Sequence, residues 1–185
     1  YDAAGRRASV TAAVGAESHT TSYGYASGRL STVTGPLGAV ATLGYDAAGR
    51  RTALDCANGV ATTYAYDQRG RPTSIDAIDV ATSTTVLSLG YTMDAAGRRT
   101  QIAEPNGLVR SYGYDPIDRL TSETVSGGSE PAYSKTFVYD PVGTRTTQTT
   151  TGQNAAMVAY SYDARDRMLN EGALAFSWDP NGNLT

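Results

Sequence analysis

Tyr45-Asp46-Ala47-Ala48-Gly49-Arg50-Arg51-Thr52 is the phrase from which the organisation of the chain unfolds, because the chain keeps returning to it. Close copies stand at Tyr1-Asp2-Ala3-Ala4-Gly5-Arg6-Arg7, Tyr66-Asp67-Gln68-Arg69-Gly70-Arg71, Met93-Asp94-Ala95-Ala96-Gly97-Arg98-Arg99 and Tyr114-Asp115-Pro116-Ile117-Asp118-Arg119. Looser ones follow at Tyr139-Asp140-Pro141-Val142-Gly143, Tyr162-Asp163-Ala164-Arg165-Asp166-Arg167 and Trp178-Asp179-Pro180-Asn181-Gly182, with a degenerate copy at Tyr25-Ala26-Ser27-Gly28-Arg29. The starts, at residues 1, 25, 45, 66, 93, 114, 139, 162 and 178, lie 16 to 27 residues apart. Recurrence on that scale marks an array in which each unit buries its apolar face against its neighbours. Residues 1–185 are therefore expected to form a single array of eight or nine units, opening and closing inside a repeat, as a fragment of a longer chain would.

Upstream of each start an aromatic or aliphatic residue alternates with a small one, as in Tyr23-Gly24-Tyr25, Tyr64-Ala65-Tyr66, Tyr112-Gly113-Tyr114 and Phe137-Val138-Tyr139. Residues two apart on a strand share a face, so the period is two and the incoming segment is a strand with paired aromatics on one side. The aspartate that follows can accept hydrogen bonds from backbone N–H groups further along, and the glycine three residues later reaches positive φ without a Cβ clash. Asp118 and Asp166 take the place of that glycine in two copies; Asp tolerates the left-handed region better than most residues. On the outgoing side, Arg50, Thr52 and Leu54 share a parity, as do Arg98, Thr100 and Ile102.

A second turn signal falls midway to the next start: Gly35-Pro36-Leu37-Gly38, Asn58-Gly59, Pro105-Asn106-Gly107, Ser126-Gly127-Gly128-Ser129 and Gly152-Gln153-Asn154. Asn-Gly there predicts a type I′ turn with positive φ at both residues. Two turns per period give two strands per period, hence an all-β antiparallel meander of about sixteen to eighteen strands, which is expected to form a curved or spiral sheet because long open sheets twist and curl. Longer loops are expected around Asp79–Thr84 and Val125–Pro131.

Composition narrows the chemistry. With 15 basic and 18 acidic residues spread along the repeats, no block of one sign favours a nucleic acid or an anionic membrane. One cysteine, Cys56, and one histidine, His19, exclude an intrachain disulfide and a Cys/His metal cluster. No apolar run is long enough for a membrane helix. His19 stands beside Ser18 and Glu17 without the sequence context of a catalytic serine, and each prominent aspartate has a turn to hold, so neither a nucleophilic nor a paired-carboxylate enzyme is expected. No cofactor and no metal are implied. The arginine after each glycine (Arg6, Arg29, Arg50, Arg71, Arg98) reads as the partner of a turn aspartate, and the tyrosine rows read as stacking between hairpins.

Tyr-Asp, a glycine three residues on, arginine, and a Tyr-x-Tyr-Asp approach resemble the YD repeat of the RHS (rearrangement hot spot) family, over essentially the whole chain. The resemblance implies a long sheet coiled into a hollow shell, which in bacterial polymorphic toxins and insecticidal toxin complexes encloses a C-terminal toxic domain and in teneurins serves adhesion. Bacterial shells end in an Asp-Pro-x-Gly segment that can cleave itself. Asp140-Pro141-Val142-Gly143 and Asp179-Pro180-Asn181-Gly182 look similar, but both sit in register as ordinary repeats, so no self-cleavage is expected.

The repeat motif, then, is structural: Tyr1, Asp2, Gly5 and Arg6 in the first copy, and the corresponding residues through Gly143, Tyr162, Asp163, Arg167, Trp178, Asp179 and Gly182 in the later ones. The expected function is a non-catalytic wall segment that encapsulates and protects a polypeptide cargo, secreted or at the cell surface as part of a larger bacterial protein. The alternative is an adhesive or glycan-binding module. Expected partners are the rest of the parent chain, with its enclosed toxin, and other copies that pair through open sheet edges.

Overall fold

A computed structural model describes the backbone of residues 1–185 and every side chain except those of Val14 and Ala39. The chain is all-β. Sixteen strands run in the order of the sequence, each hydrogen-bonded to the next, with β1 and β16 at the two ends of the order. They are β1 (Ser9–Val14), β2 (Glu17–Ala26), β3 (Arg29–Gly35), β4 (Gly38–Tyr45), β5 (Arg51–Cys56), β6 (Val60–Tyr66), β7 (Pro72–Asp79) and β8 (Thr84–Met93), followed by β9 (Arg99–Ala103), β10 (Val109–Tyr114), β11 (Leu120–Ser126), β12 (Tyr133–Tyr139), β13 (Arg145–Gly152), β14 (Ala156–Tyr162), β15 (Met168–Glu171) and β16 (Leu174–Ala175). By contact density the chain divides into two compact units, Tyr1–Gly90 and Tyr91–Thr185.

Register sorts the side chains of each unit onto two faces. In the first unit one row reads Tyr23, Val33, Ala41, Cys56 and the next Leu43, Leu54, Thr62, Ala77, Leu87. The opposite face reads Gly24, Thr32, Thr42, Asp55, Ala61. In the second unit Phe137, Gln148 and Val158 face one way, while Ser122, Thr136, Thr149 and Met157 face the other. An aromatic and aliphatic face thus backs a hydroxyl face, which is what strict period two demands. A single sheet buries little: among the described residues Ala77 is buried in the first unit, and Leu108, Val125, Phe137 and Tyr160 in the second.

Leu108 and Val125 are fully buried. Leu108 lies under the Ser126–Pro131 loop, where Gly128 approaches so closely that a Cβ on it would stand 3.1 Å from the Leu108 Cβ and 3.2 Å from its backbone nitrogen. The insertion is therefore a lid for one leucine, and glycine is what lets it close.

Three expectations are corrected. Asn58-Gly59 is not a type I′ turn: only Gly59 has positive φ (85°), its N–H donates to Cys56 O at 3.0 Å, and the Asn58 side chain accepts from Val60 N at 3.2 Å. This is a type I turn closed by a left-handed glycine, the three-residue hairpin alternative. Conversely the degenerate copy at Tyr25 is a two-residue hairpin, with Ala26 paired to Arg29 and positive φ at both Ser27 and Gly28. Finally, the parity of the outgoing strands is broken by a bulge, described next.

Candidate functional site

The aspartate turn is built the same way in copy after copy. Asp46 N–H donates to Arg50 O (3.0 Å) and Gly49 N–H to Asp46 O (2.9 Å), with Gly49 at φ 84°. The Asp46 carboxylate takes the Arg50 backbone N–H on one oxygen (2.9 Å) and the Arg50 Nε on the other (2.7 Å). Asp2 with Arg6, Asp67 with Arg71, Asp94 with Arg98, Asp115 with Arg119 and Asp163 with Arg167 repeat the arrangement, their Nε to carboxylate distances lying between 2.6 and 2.8 Å. In the last copy Asn183 does the arginine's work, its backbone and amide nitrogens each 2.8 Å from Asp179. Asp140 is met by the backbone of Thr144 at 2.8 Å. The degenerate copy has Ala26 where the aspartate belongs, and its Arg29 instead lies 6.0 Å from the centre of the Tyr45 ring. Asp118 (φ 69°) and Asp166 (φ 59°) occupy the left-handed position in place of glycine.

These bonds set the carboxylate chemistry. The Arg6, Arg98 and Arg167 side chains, and the Arg50 and Arg71 backbone N–H groups first at their turns, hold Asp2, Asp94, Asp163, Asp46 and Asp67 below the usual carboxylate range. Such groups stay ionised and paired at neutral pH, which makes them poor proton donors.

The turns of Arg50, Arg98, Arg119 and Arg167 are also tied to the next. Arg50 Nη1 donates to Asp67 O at 3.1 Å while its guanidinium lies 4.8 Å from the Tyr66 ring centre, and Tyr66 OH returns a bond to Arg51 O at 2.8 Å. In the second unit Arg98 reaches Asp115 O and the Tyr114 ring, with Tyr114 OH on Arg99 O. Arg119 reaches Asp140 O and Tyr139, whose hydroxyl bonds Leu120 O. Arg167 lies over Trp178, and there the indole N–H replaces the hydroxyl, donating to Met168 O at 2.8 Å. Tyr25 OH to Arg7 O and Tyr162 OH to Arg145 O complete the set. Tyr1 is 84% exposed.

A bulge accompanies the turns. Gly44 pairs with Ala53 but Tyr45 with Arg51, leaving Thr52 extra; the same shift precedes Tyr25, Tyr66, Tyr114, Tyr139 and Tyr162. Beside it the adjacent arginines take successive tyrosines of β6, Arg50 over Tyr66 and Arg51, at 4.4 Å, over Tyr64. Sequence reasoning missed the bulge, although the Ser or Thr at the extra position in five of these six copies was visible.

At the opposite hairpin ends the second unit carries a related set. Glu104 accepts from Arg110 Nε at 2.8 Å, Arg110 stands 3.6 Å from Glu130, and Tyr133 OH donates to Glu123 at 2.9 Å. Burial and the Glu123 charge push the Tyr133 hydroxyl up, so it remains a donor. His19 is exposed beside Glu17, and Cys56 is half-buried with a free thiol. Among the described residues no three His, Cys, Asp or Glu side chains gather as a metal-binding group.

The model of the RHS repeat matches residues 1–40, 25–61, 45–77 and 94–130, together more than half of the chain. The chain belongs to the RHS repeat family. The turns at Asp140, Asp163 and Asp179 carry the RHS architecture past the matched residues. No curated protein matches the chain. Among solved structures, the crystal structure of TcdB2-TccC3 without its hypervariable C-terminal region is similar, with a TM-score of 0.68 at 18% identity over 91% of this chain and 12% of that one. The Photorhabdus luminescens Tc holotoxin pore is similar at a TM-score of 0.66 and 18% identity, over 90% of this chain and 12% of that one. At such identity the likeness is one of fold. The RHS chain spans about an eighth of those chains' length.

Proposed function

We propose that this RHS segment is a wall element of a larger β-sheet shell that encloses a polypeptide, exported as part of a longer protein and delivered with its contents. All nine repeat starts then belong to one array, and the aspartate turns are mortar for the wall. The observation that carries the reading is the tie made at Arg50, Arg98, Arg119 and Arg167, where one arginine bonds its own aspartate, the following turn's carbonyl and the following ring. Stability made of nearest-neighbour ties suits a wall that lengthens by repeats. Likeness to Tc toxin structures over nine-tenths of the chain supports the same reading.

The tyrosines support tiling over sugar recognition. At Tyr25, Tyr66, Tyr114 and Tyr139 the hydroxyl is spent on a backbone carbonyl and a guanidinium lies over the ring, whereas a glycan platform needs bare rings. Electron microscopy of the longer protein, with and without the region that follows these repeats, tests the proposal. A hollow particle whose internal density vanishes on truncation is the expected result. A solid rod or an open ribbon would overturn it.

A further inference from the structure

The residue after the arginine position of each turn, a position Thr144 fills in one copy, follows a pattern with twice the repeat period. Arg7, Arg51, Arg99 and Arg145 alternate with Leu30, Pro72, Leu120 and Met168. Each unit therefore contains the series arginine, leucine, arginine: Arg7, Leu30, Arg51 in the first and Arg99, Leu120, Arg145 in the second.

These arginines differ from their neighbours. Arg50 and Arg98 are neutralised by their turn aspartates, whereas Arg7, Arg51, Arg99 and Arg145 have no carboxylate in ion-pair range among the described residues, and their side chains donate no hydrogen bond there. Three are nonetheless held in place: Arg51 lies 4.4 Å over Tyr64, Arg99 4.6 Å over Tyr91 and Arg145 4.3 Å over Tyr160. Arg7, Arg51 and Arg99 are exposed and Arg145 is half-buried. A guanidinium stacked on a ring keeps its N–H edge for a bidentate carboxylate, and its conformation is already restricted before binding.

We propose that Arg7 with Arg51 on the first unit, and Arg99 with Arg145 on the second, form an anion-binding row for an extended acidic polypeptide. The spacing fits that partner. Successive arginines in a row are four strands apart, about 19 Å, which an extended chain crosses in about six residues, an even step that returns carboxylates to one face. The intervening Leu30 or Leu120 meets the middle of that step with an apolar contact. The inference stands apart from the wall reading and needs only the exposed arginine row, so failure to bind would leave that reading untouched.

The test is fluorescence anisotropy of a labelled poly-L-glutamate of about 15 residues, long enough to cross one such step with residues to spare at either end, titrated with the 185-residue chain at near-neutral pH. The triple variant Arg51→Leu, Arg99→Leu, Arg145→Leu installs a residue that alternate repeats already carry there, and is expected to bind about tenfold more weakly or worse. Arg165→Gln, an exposed turn arginine outside the rows, is expected to bind as the parent does. Parent-like affinity in the triple variant, an equal loss in Arg165→Gln, or binding of heparin without binding of poly-glutamate would each overturn the proposal. If circular dichroism shows the leucine variant unfolded, Arg51→Lys, Arg99→Lys, Arg145→Lys replaces it. That variant keeps the charge and removes the planar stack, so it is expected to bind severalfold more weakly, and unchanged affinity overturns the proposal.

Discussion

The guanidinium of Arg50 lies 4.8 Å from the centre of the Tyr66 ring, one hairpin further along the chain, and Tyr66 OH bonds the carbonyl of Arg51, the residue beside that arginine. Side chain and backbone of one turn thus hold opposite ends of one tyrosine. A cation over an aromatic face contributes about 0.5–1 kcal/mol at exposed sites and a neutral hydrogen bond about as much. Neither alone orders a hairpin, but the pair recurs at five turns, where a sheet with few buried residues has little else to rely on.

Tyr66→Phe separates the two contributions. The ring and its guanidinium remain, and the Arg51 carbonyl loses its donor, so urea unfolding is expected to show a loss of about 1 kcal/mol. Tyr66→Ala removes both and is expected to cost more than twice as much. Equal losses in the two variants would show that the ring contributes nothing.

Period two, two turns per repeat and the aspartate turn were legible because each rests on local stereochemistry. Asp46, Gly49 and Arg50 lie within one turn, and their mutual bonds need no knowledge of the rest of the sheet. What was not legible depends on a neighbour. The bulge at Thr52 exists only in relation to Tyr45 across the hairpin. The docking of Tyr66 on Arg51 crosses between hairpins, and the burial of Leu108 waits on Gly128, twenty residues later. Asn58-Gly59 misled because both hairpin types want glycine last; they differ in the φ of the asparagine and in whether Ala57 joins the loop.

Leu108 offers the sharpest packing test. It is fully buried beneath a loop in a unit with few other buried side chains. Leu108→Ala is expected to cost about 2–5 kcal/mol, the range for emptied core sites. Val10→Ala, on a residue 39% exposed, is expected to cost under about 0.5 kcal/mol. Chemical denaturation of both variants checks the contrast.

Acid should weaken the array through its turns. The paired aspartates have folded-state values below the ordinary 3.8, so their stabilisation is complete well above that value and is lost as pH falls through the lower folded values. The melting temperature is expected to hold near neutral pH, to begin falling below about pH 5, and to keep falling as the carboxylates protonate. Asp67→Asn, which cannot be ionised, should shrink the acid-dependent part of that fall; an unchanged pH profile in the variant would count against the turn carboxylates as its source.

Asp166 occupies a left-handed position, φ 59°, that glycine fills in most copies, and its neighbour Arg167 is already paired with Asp163. An L-residue pays about 1–2 kcal/mol for that conformation, while glycine pays about 0.5–1 kcal/mol in chain entropy. Asp166→Gly is therefore expected to stabilise the second unit by up to about 1 kcal/mol, read as a rise in the denaturation midpoint.

Thr144 stands where the other turns carry arginine. Its backbone N–H bonds Asp140, but its side chain reaches neither the carboxylate nor the next aromatic, Tyr162, whose hydroxyl is already seated on Arg145 O. The receiving half of the tie is therefore present and the giving half is missing. Thr144→Arg supplies a guanidinium that can bond Asp140 Oδ2 and lie over the Tyr162 ring, as Arg119 does with Asp115 and Tyr139 one hairpin earlier. The expected gain is about 0.5–1 kcal/mol from the ring contact. A double-mutant cycle with Tyr162→Leu, which keeps an apolar side chain and removes the ring, isolates that contact. A coupling near zero, or a gain that survives the loss of the ring, would show that the turn-to-turn tie is carried by the backbone alone.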